Sequence, residues 1–157
     1  YIVTRNCVVK TGHQLVAIGS ELSGGIENVY VENCKVAETN KELMHLLFIK
    51  TNERMGGYVK NIFVQNVTAH HIKEGILGID MDVLYQWRNL VPTRIKKLTP
   101  IQDVYLSQVK AQSGKFVAKI NGSPELPVKN IRLLQTDMAQ VSEEKIQEKN
   151  VSGFLFQ

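Results

Sequence analysis

Apolar and polar residues alternate along short segments that recur down the chain, and this period of two is typical of β-strands. The clearest segment is Asn28–Cys34, written NVYVENC, which has aliphatic residues at its second and fourth positions. Three full copies and two partial copies follow the same pattern, at 61–67, 103–109 and 130–136 and at 2–7 and 153–157. The chain is therefore built from internal repeats, which must be recognised before any element is assigned.

A second set of short strands keeps step with the first set. Each of these strands contains aliphatic residues, and the strands lie between the copies of the first set, at Val16–Gly19, Leu47–Lys50, Leu77–Asp80 and Ala118–Asn121. The nearest approach to a helical pattern, Ser142–Lys149, is short and polar. These features predict an all-β fold, a right-handed parallel β-helix of about five to six coils stacked about 4.8 Å apart. We expect residues 1–157 to form a single β-helix domain.

In a stack of coils, the residues at equivalent positions of successive repeats lie above one another. Asn or Gln recurs at the same point of each copy, at positions 6, 33, 66, 108 and 135, which predicts an amide ladder at one turn. Cys7 and Cys34 should be neighbours in one stack and face the core as small apolar residues. Direct stacking in adjacent parallel strands is poor disulfide geometry, so we expect free thiols.

Composition narrows the range of partners. The chain has 157 residues, 43% of them hydrophobic and 22% charged, with a net charge of +4. This mild positive charge allows a polyanionic partner, but no Lys/Arg block suggests nucleic acid. The apolar runs are far shorter than the roughly 18 residues that span a bilayer, so we expect no membrane partner. We also expect no cofactor and no metal ion, because no cysteine or histidine has ligand spacing.

Three stretches resemble glycoside hydrolase family 28, the polygalacturonases and related pectin-degrading hydrolases. They are GHQLVAIGSELSGGIENVYVENC from residue 12, FIKTN from residue 48 and GGYVKNIFVQNVT from residue 56, and KNVSGFLFQ is similar to the closing coil of many members. The resemblance implies a parallel β-helix, inverting hydrolysis of galacturonide-type linkages, pectin or galacturonan as partner, and a secreted or periplasmic location.

The chain departs from the family pattern at two positions. Gln14 stands where the family has Gly, and Phe48 stands where it has a substrate-binding Arg. The family motifs that carry the catalytic carboxylates lie upstream of the Gly-His segment and are not in this chain. We therefore expect a C-terminal portion of a longer β-helix that is inactive alone, so whether it is an enzyme stays open.

Several residues are candidates for a substrate site. The resemblance gives His13 a supporting catalytic role beside the missing acids and gives Lys50 a contact with a galacturonate carboxylate. Phe48 shares the outward face of Lys50, where it either stacks on a sugar ring or is covered by a loop. A long loop is predicted at 82–99, and its aromatic and basic residues suit an acidic polysaccharide. We name Tyr85, Trp87 and Arg88 as binding candidates there.

Other interpretations remain open from the sequence. The chain could be a non-catalytic carbohydrate-binding or adhesive β-helix, or a purely structural one. Asp80 and Asp82 are a weak candidate pair for catalysis or for calcium. The histidines at 45, 70 and 71 suit structural roles better than ligation. Open coil ends would favour self-association.

Overall fold

The structure, a computed structural model, describes residues 1–38, 43–83 and 95–157. These residues form twelve β-strands and no helix, and so contain no helix long and apolar enough to cross a membrane. The strands are β1 (Ile2–Arg5), β2 (Val8–Val9), β3 (Gln14–Ile18), β4 (Gly25–Val36), β5 (Leu43–Lys50), β6 (Tyr58–Asp80), β7 (Ile101–Gly114), β8 (Phe116–Asn121), β9 (Val128–Leu134), β10 (Asp137–Val141), β11 (Ile146–Lys149) and β12 (Val151–Phe156).

Every strand pairing in this part of the chain is parallel, and the pairings fall into two stacks. The first sheet runs in the order β1-β4-β6-β7-β9-β12, and it continues around a corner where β2 pairs with β4 and β10 with β7. The second sheet stacks β3, β5, the last part of β6, β8 and β11. This is the predicted parallel β-helix, with six rungs in one sheet and five in the other among the described strands.

The register matches the repeats read from the sequence. Val29 pairs with Ile62, which pairs with Val104, and Val104 pairs with Ile131. The second set keeps step in the same way, because Leu47 pairs with Leu77. Polar Ser142–Lys149 contains no helix, since Ile146–Lys149 is strand β11 and pairs with β8.

The core lies inside the coils. The aliphatic residues predicted to point inward are all buried: Val29, Val31, Ile62, Val64, Val104, Leu106, Ile131 and Leu133. Branched aliphatic side chains suit these positions because they pack well against their neighbours on the pleated surface of a sheet. Their rotamers are already restricted, so folding removes little further side-chain freedom. The same period of two sends the intervening residues outward, so Tyr30, Phe63 and Tyr105 stack along the outside with centroids 4.9 and 5.2 Å apart.

Two columns of polar residues mark the corners of the coils. All five members of the predicted amide ladder have φ near +50°, a left-handed conformation that Asn tolerates better than most residues. Within it, Asn66 Nδ2 donates to Asn33 Oδ1 at 2.8 Å. A second column was not predicted, in which Asn61 Nδ2 donates to Asn28 Oδ1 at 3.0 Å and both residues have φ of 56°.

The two cysteines are free, and they differ in burial. Each Sγ lies 3.3 Å from the carbonyl oxygen of the residue two positions earlier, Arg5 for Cys7 and Glu32 for Cys34. Cys34 is buried, but Cys7 is exposed. The two cysteines were expected to be neighbours in one stack, and Cys7 lies in register with Cys34, since its carbonyl oxygen accepts a hydrogen bond from the N–H of Lys35. Cys7 is more exposed because, among the described strands, β1 and β2 pair only with β4.

Candidate functional site

An open cleft of about 610 Å³ runs along the outer face of the second sheet. Leu47 and Ile49 are fully buried, so the alternation of strand β5 turns Phe48 and Lys50 to the outside. In the next rungs, Gly78 lies beside Phe48 and Asp80 lies beside Lys50. The register of the β-helix thus brings side chains from distant parts of the sequence into two parallel rows.

The floor of the cleft is aromatic. His45 stacks on Phe48 with ring centroids 4.5 Å apart and planes 9° apart. The ring of Phe116, which is 2% exposed, lies 6.0 Å from the His45 ring. We call these three rings, His45, Phe48 and Phe116, the aromatic floor.

Glycines make room for this floor. A Cβ atom added at Gly78 would lie 2.8 Å from both His45 Nε2 and Phe48 Cδ2, closer than real contacts allow. A Cβ at Gly75 would lie 2.3 Å from the ring of Phe116. The rings therefore pack directly against the backbone of strand β6 at these two positions.

The ammonium groups of two lysines lie over rings of the aromatic floor. Lys50 Nζ lies 5.9 Å from the centroid of the Phe48 ring, and Lys119 Nζ lies 5.7 Å from that of Phe116. An ammonium over an aromatic face is attracted by the negative potential of the ring. The cleft thus combines an apolar surface with cations whose side chains remain partly solvent-accessible.

Acidic side chains line the same cleft. Glu74 accepts a hydrogen bond from Lys115 Nζ at 2.8 Å. Asp80 Oδ1 accepts one from Asn121 Nδ2 at 3.1 Å and one from the backbone N–H of Asp82 at 3.0 Å. Both carboxylates are therefore held in place, and the cleft is not uniformly positive.

His13 lies at the cleft entrance, just before strand β3. It is exposed, and its Nδ1 lies 2.9 Å from Gln14 Nε2, which donates to it. This contact orients the imidazole and directs a neutral ring's proton to Nε2. Gln14, noted in the sequence only as a departure from the family pattern, is therefore a neighbour that fixes His13.

Burial makes His45 a poor base. The residue is 8% exposed, and its Nδ1 has no hydrogen-bond partner in the part of the chain that the structure describes. Desolvation lowers the pKa of His45 from 6.5 to about 4, Glu74 raises it, and His13 and Lys115 lower it further. The ring is consequently neutral at physiological pH and acts as an apolar stacking partner.

This pKa predicts an acid-sensitive stability. Between about pH 6.5 and 4 the unfolded chain binds a proton at His45 that the folded chain does not, so stability falls as the pH falls. We expect the free energy of unfolding to decrease by about 2 kcal/mol more in the native protein than in His45→Phe over this window. Urea denaturation at several pH values measures the difference, and parallel pH profiles for the two proteins would contradict it.

The structure brings three of the sequence-derived candidates together. His13 and Phe48 line the cleft, and Lys50 lies over the ring of Phe48. The candidates in the predicted 82–99 loop, Tyr85, Trp87 and Arg88, lie outside the described residues. No cluster of three or more His, Cys, Asp or Glu side chains suited to a metal ion occurs within 1–38, 43–83 and 95–157.

Sequence reasoning missed part of the site. His45 was assigned a structural role, and Phe116, Lys119 and Gly78 were not singled out. A signal was present for one of them: Gly78 interrupts an aliphatic strand, and glycine inside a strand often marks a close approach of another group. The groups that approach Gly78, His45 and Phe48, come from strand β5, about thirty residues earlier in the sequence, so local pattern could not identify them.

Fold and site together define a parallel β-helix with a ligand-sized lateral cleft. The sequence profile described as "Glycosyl hydrolases family 28" matches residues 1–154. The chain therefore belongs to this family, and the resemblance seen in the sequence is confirmed.

Individual relatives agree with this assignment. The chain is 27% identical over 135 residues to a probable polygalacturonase of Vitis vinifera, covering 83% of this chain and 25% of that protein. Its structure is similar to the crystal structure of a hyperthermoactive exopolygalacturonase from Thermotoga maritima, with a TM-score of 0.81 and 26% identity. That similarity covers 99% of this chain and 33% of the Thermotoga chain. The chain thus spans about a quarter to a third of the length of these relatives.

Proposed function

We propose that this chain forms part of the substrate cleft of a polygalacturonase-like hydrolase and binds a pectic polysaccharide there. The observation that carries the proposal is the register of the second sheet. It places Phe48, Lys50 and Lys119 on one outer face. His13, just before strand β3, lines the same cleft as Phe48 and Lys119. An apolar surface with a few fixed polar groups is the usual composition of a ligand site.

Each part of the cleft suits an acidic sugar chain in a different way. Phe48, the partly exposed ring of the aromatic floor, offers apolar surface to the C–H groups of a pyranose ring. Lys50 and Lys119 supply positive charge near carboxylates, and an ammonium on a flexible stem adapts to different ring positions. His13, held by Gln14, presents Nε2 as a hydrogen-bond donor at the entrance.

The catalytic carboxylates are not assigned to this chain. Inverting hydrolysis needs one carboxylic acid and one carboxylate about 6.5–9.5 Å apart, with room for water between them. Glu74 is paired with Lys115, and Asp80 is held by Asn121. Asp80 Oδ1 also accepts a hydrogen bond from the backbone N–H of Asp82 at 3.0 Å. Our proposal for this chain is therefore substrate binding.

Binding can be tested by isothermal titration of the chain with a short oligogalacturonate at low and moderate salt. We expect Lys119→Ala to weaken binding by about threefold to fivefold, because a partly exposed ion pair contributes up to about 1 kcal/mol. The loss should shrink as salt is added. Lys129→Ala is the matched control, since Lys129 is an exposed lysine on the first sheet, outside the cleft.

Either of two results would contradict the proposal. The first is the absence of heat at both salt concentrations with the native chain. The second is an equal loss of affinity in Lys119→Ala and Lys129→Ala, which would indicate non-specific attraction of a polyanion to a basic protein.

A further inference from the structure

We infer that a second groove, at one corner of the coils, binds an extended anionic polysaccharide chain. The corner groove runs past residues 66–68, 108–111 and 135–139 of three successive rungs, and its volume is about 1000 Å³. It lies where the first sheet bends into its continuation at β10. The groove shares no lining residue with the cleft on the second sheet, so this inference goes beyond the proposed function.

The first support is a row of side-chain amides with unused hydrogen-bonding capacity. Asn66, Gln108 and Gln135 line the groove at equivalent positions of rungs that lie about 4.8 Å apart. All three have φ near +50°, so the backbone at the corner fixes where each side chain leaves the coil. Asn66 donates to Asn33, but the side-chain amides of Gln108 and Gln135 form no hydrogen bond within the described ranges.

These groups match the hydroxyls of a sugar chain. An amide offers two N–H donors and a carbonyl acceptor, and a sugar hydroxyl uses both kinds of partner. Thr68 adds an exposed hydroxyl beside the row. Because similar groups recur at each rung, a polymer that runs along the axis of the coils meets a new donor and acceptor at every step. A repeating, hydroxyl-bearing chain fits this arrangement better than a small ion, which would reach one rung.

The second support is a lysine that is available to an anionic group. Lys110 is exposed, lies between Thr68 and Asp137 in the register of the rungs, and forms no ion pair with another described residue. Asp137 is the one acidic side chain among the described residues that line the groove, and its carboxylate accepts a hydrogen bond from Lys145 Nζ at 2.8 Å. Lys110 is therefore the cation that a sugar carboxylate meets beside the amide row.

The third support is apolar surface within the same groove. The small side chains of Ala111 and Ala139 leave room between the polar groups, and the half-buried ring of Phe156 lines the side formed by strand β12. Such surfaces accept the C–H groups of a pyranose ring. An apolar surface with a few placed polar groups is the usual composition of a ligand site.

Two-dimensional NMR of the 17.7 kDa chain, titrated with a de-esterified oligogalacturonate, observes both sites in one experiment. We expect the side-chain amide signals of Gln108 and Gln135 and the backbone signal of Lys110 to shift together. Lys110→Ala should weaken binding at the groove about threefold to fivefold and leave the cleft signals unchanged, because an exposed ion pair is lost. Lys129→Ala, at an exposed lysine outside both cavities, should change neither site.

Gln108→Asn tests the amide row without a change in charge. The amide is drawn back by one methylene, while asparagine tolerates the left-handed backbone at this corner. The variant should remain folded, as melting curves show, and should bind at the groove about twofold to tenfold more weakly, the effect of one lost hydrogen bond. If neither Lys110→Ala nor Gln108→Asn alters the titration of the groove signals, the inference is wrong.

An oligoglutamate of the same charge separates recognition of a sugar from attraction to any polyanion. It should shift the groove signals much less, and equal shifts overturn the inference, since charge alone then accounts for binding. Shifts confined to the cleft overturn the inference and leave the proposed function intact. Shifts confined to the groove support the inference and contradict the proposed function, and the absence of shifts at both sites contradicts both.

Discussion

Replacing Gly19 by alanine is expected to lower the free energy of unfolding by about 3–5 kcal/mol. Gly19 follows strand β3 with φ of +96°, a conformation that L-residues with a side chain rarely adopt. An added Cβ would lie only 1.7 Å from the carbonyl oxygen of Lys50. Relief of that overlap requires movement of the backbone between neighbouring coils, next to Lys50.

Gly24 provides the matched control, because a Cβ added there would have no neighbour within 4 Å. Gly24→Ala should change stability by less than about 0.5 kcal/mol or increase it slightly, since alanine restricts the unfolded chain. Urea denaturation of the three proteins measures both effects. Equal midpoints for Gly19→Ala and Gly24→Ala would contradict the close packing between strand β3 and Lys50.

Replacing Ile62 by alanine should cost about 2–5 kcal/mol, the range found when large aliphatic side chains are truncated in a close-packed core. Ile62 is 0% exposed and lies in the interior stack between Val29 and Val104. Neither neighbour can move inward to fill the space, because each is held by its own strand pairing in the adjacent rung.

The control for this prediction lies three residues away on the same strand. Gln65 points outward and is exposed, so Gln65→Ala should change stability by less than about 0.5 kcal/mol. Chemical denaturation measures both changes. If the unfolding free energy of every variant depends on denaturant concentration with the same slope, the shift in midpoint reports the difference in stability. A loss below about 1 kcal/mol for Ile62→Ala would show that the interior stack is loosely packed.

The two stability experiments and the binding experiments address different parts of the molecule. Backbone hydrogen bonds between parallel strands set the spacing of the rungs, and so the distance between Phe48, Gly78 and Lys119. The interior aliphatic stack stabilises the folded coils that hold those strands in place. A variant that loosens the stack should therefore also weaken binding, whereas Lys119→Ala should preserve stability better than Ile62→Ala. Melting curves recorded beside each titration separate the two causes.

The sequence by itself determined the repeat, the strand register and the inward face. Period-two alternation is a local property, and each copy carries the same apolar positions, so stacking like on like follows from the chain alone. It also identified the outward positions of Phe48 and Lys50, because an inward Ile49 fixes the direction of its neighbours. The family resemblance followed from a few short segments that occur along the chain in the same order and at the same spacing as in the family.

Only the tertiary structure decided what surrounds those positions. The stacking of His45 on Phe48 depends on a register shift between Leu43 and His45, which no local pattern indicates. The neutrality of His45 depends on burial by Phe116 and other groups from a later coil, and the need for Gly78 depends on rings supplied by a different strand. Likewise, two equivalent cysteines in the repeat differ in burial because only Cys34 is covered on both sides. Periodicity fixes which way a side chain points, but its environment comes from contacts between coils that lie 23–42 residues apart in sequence.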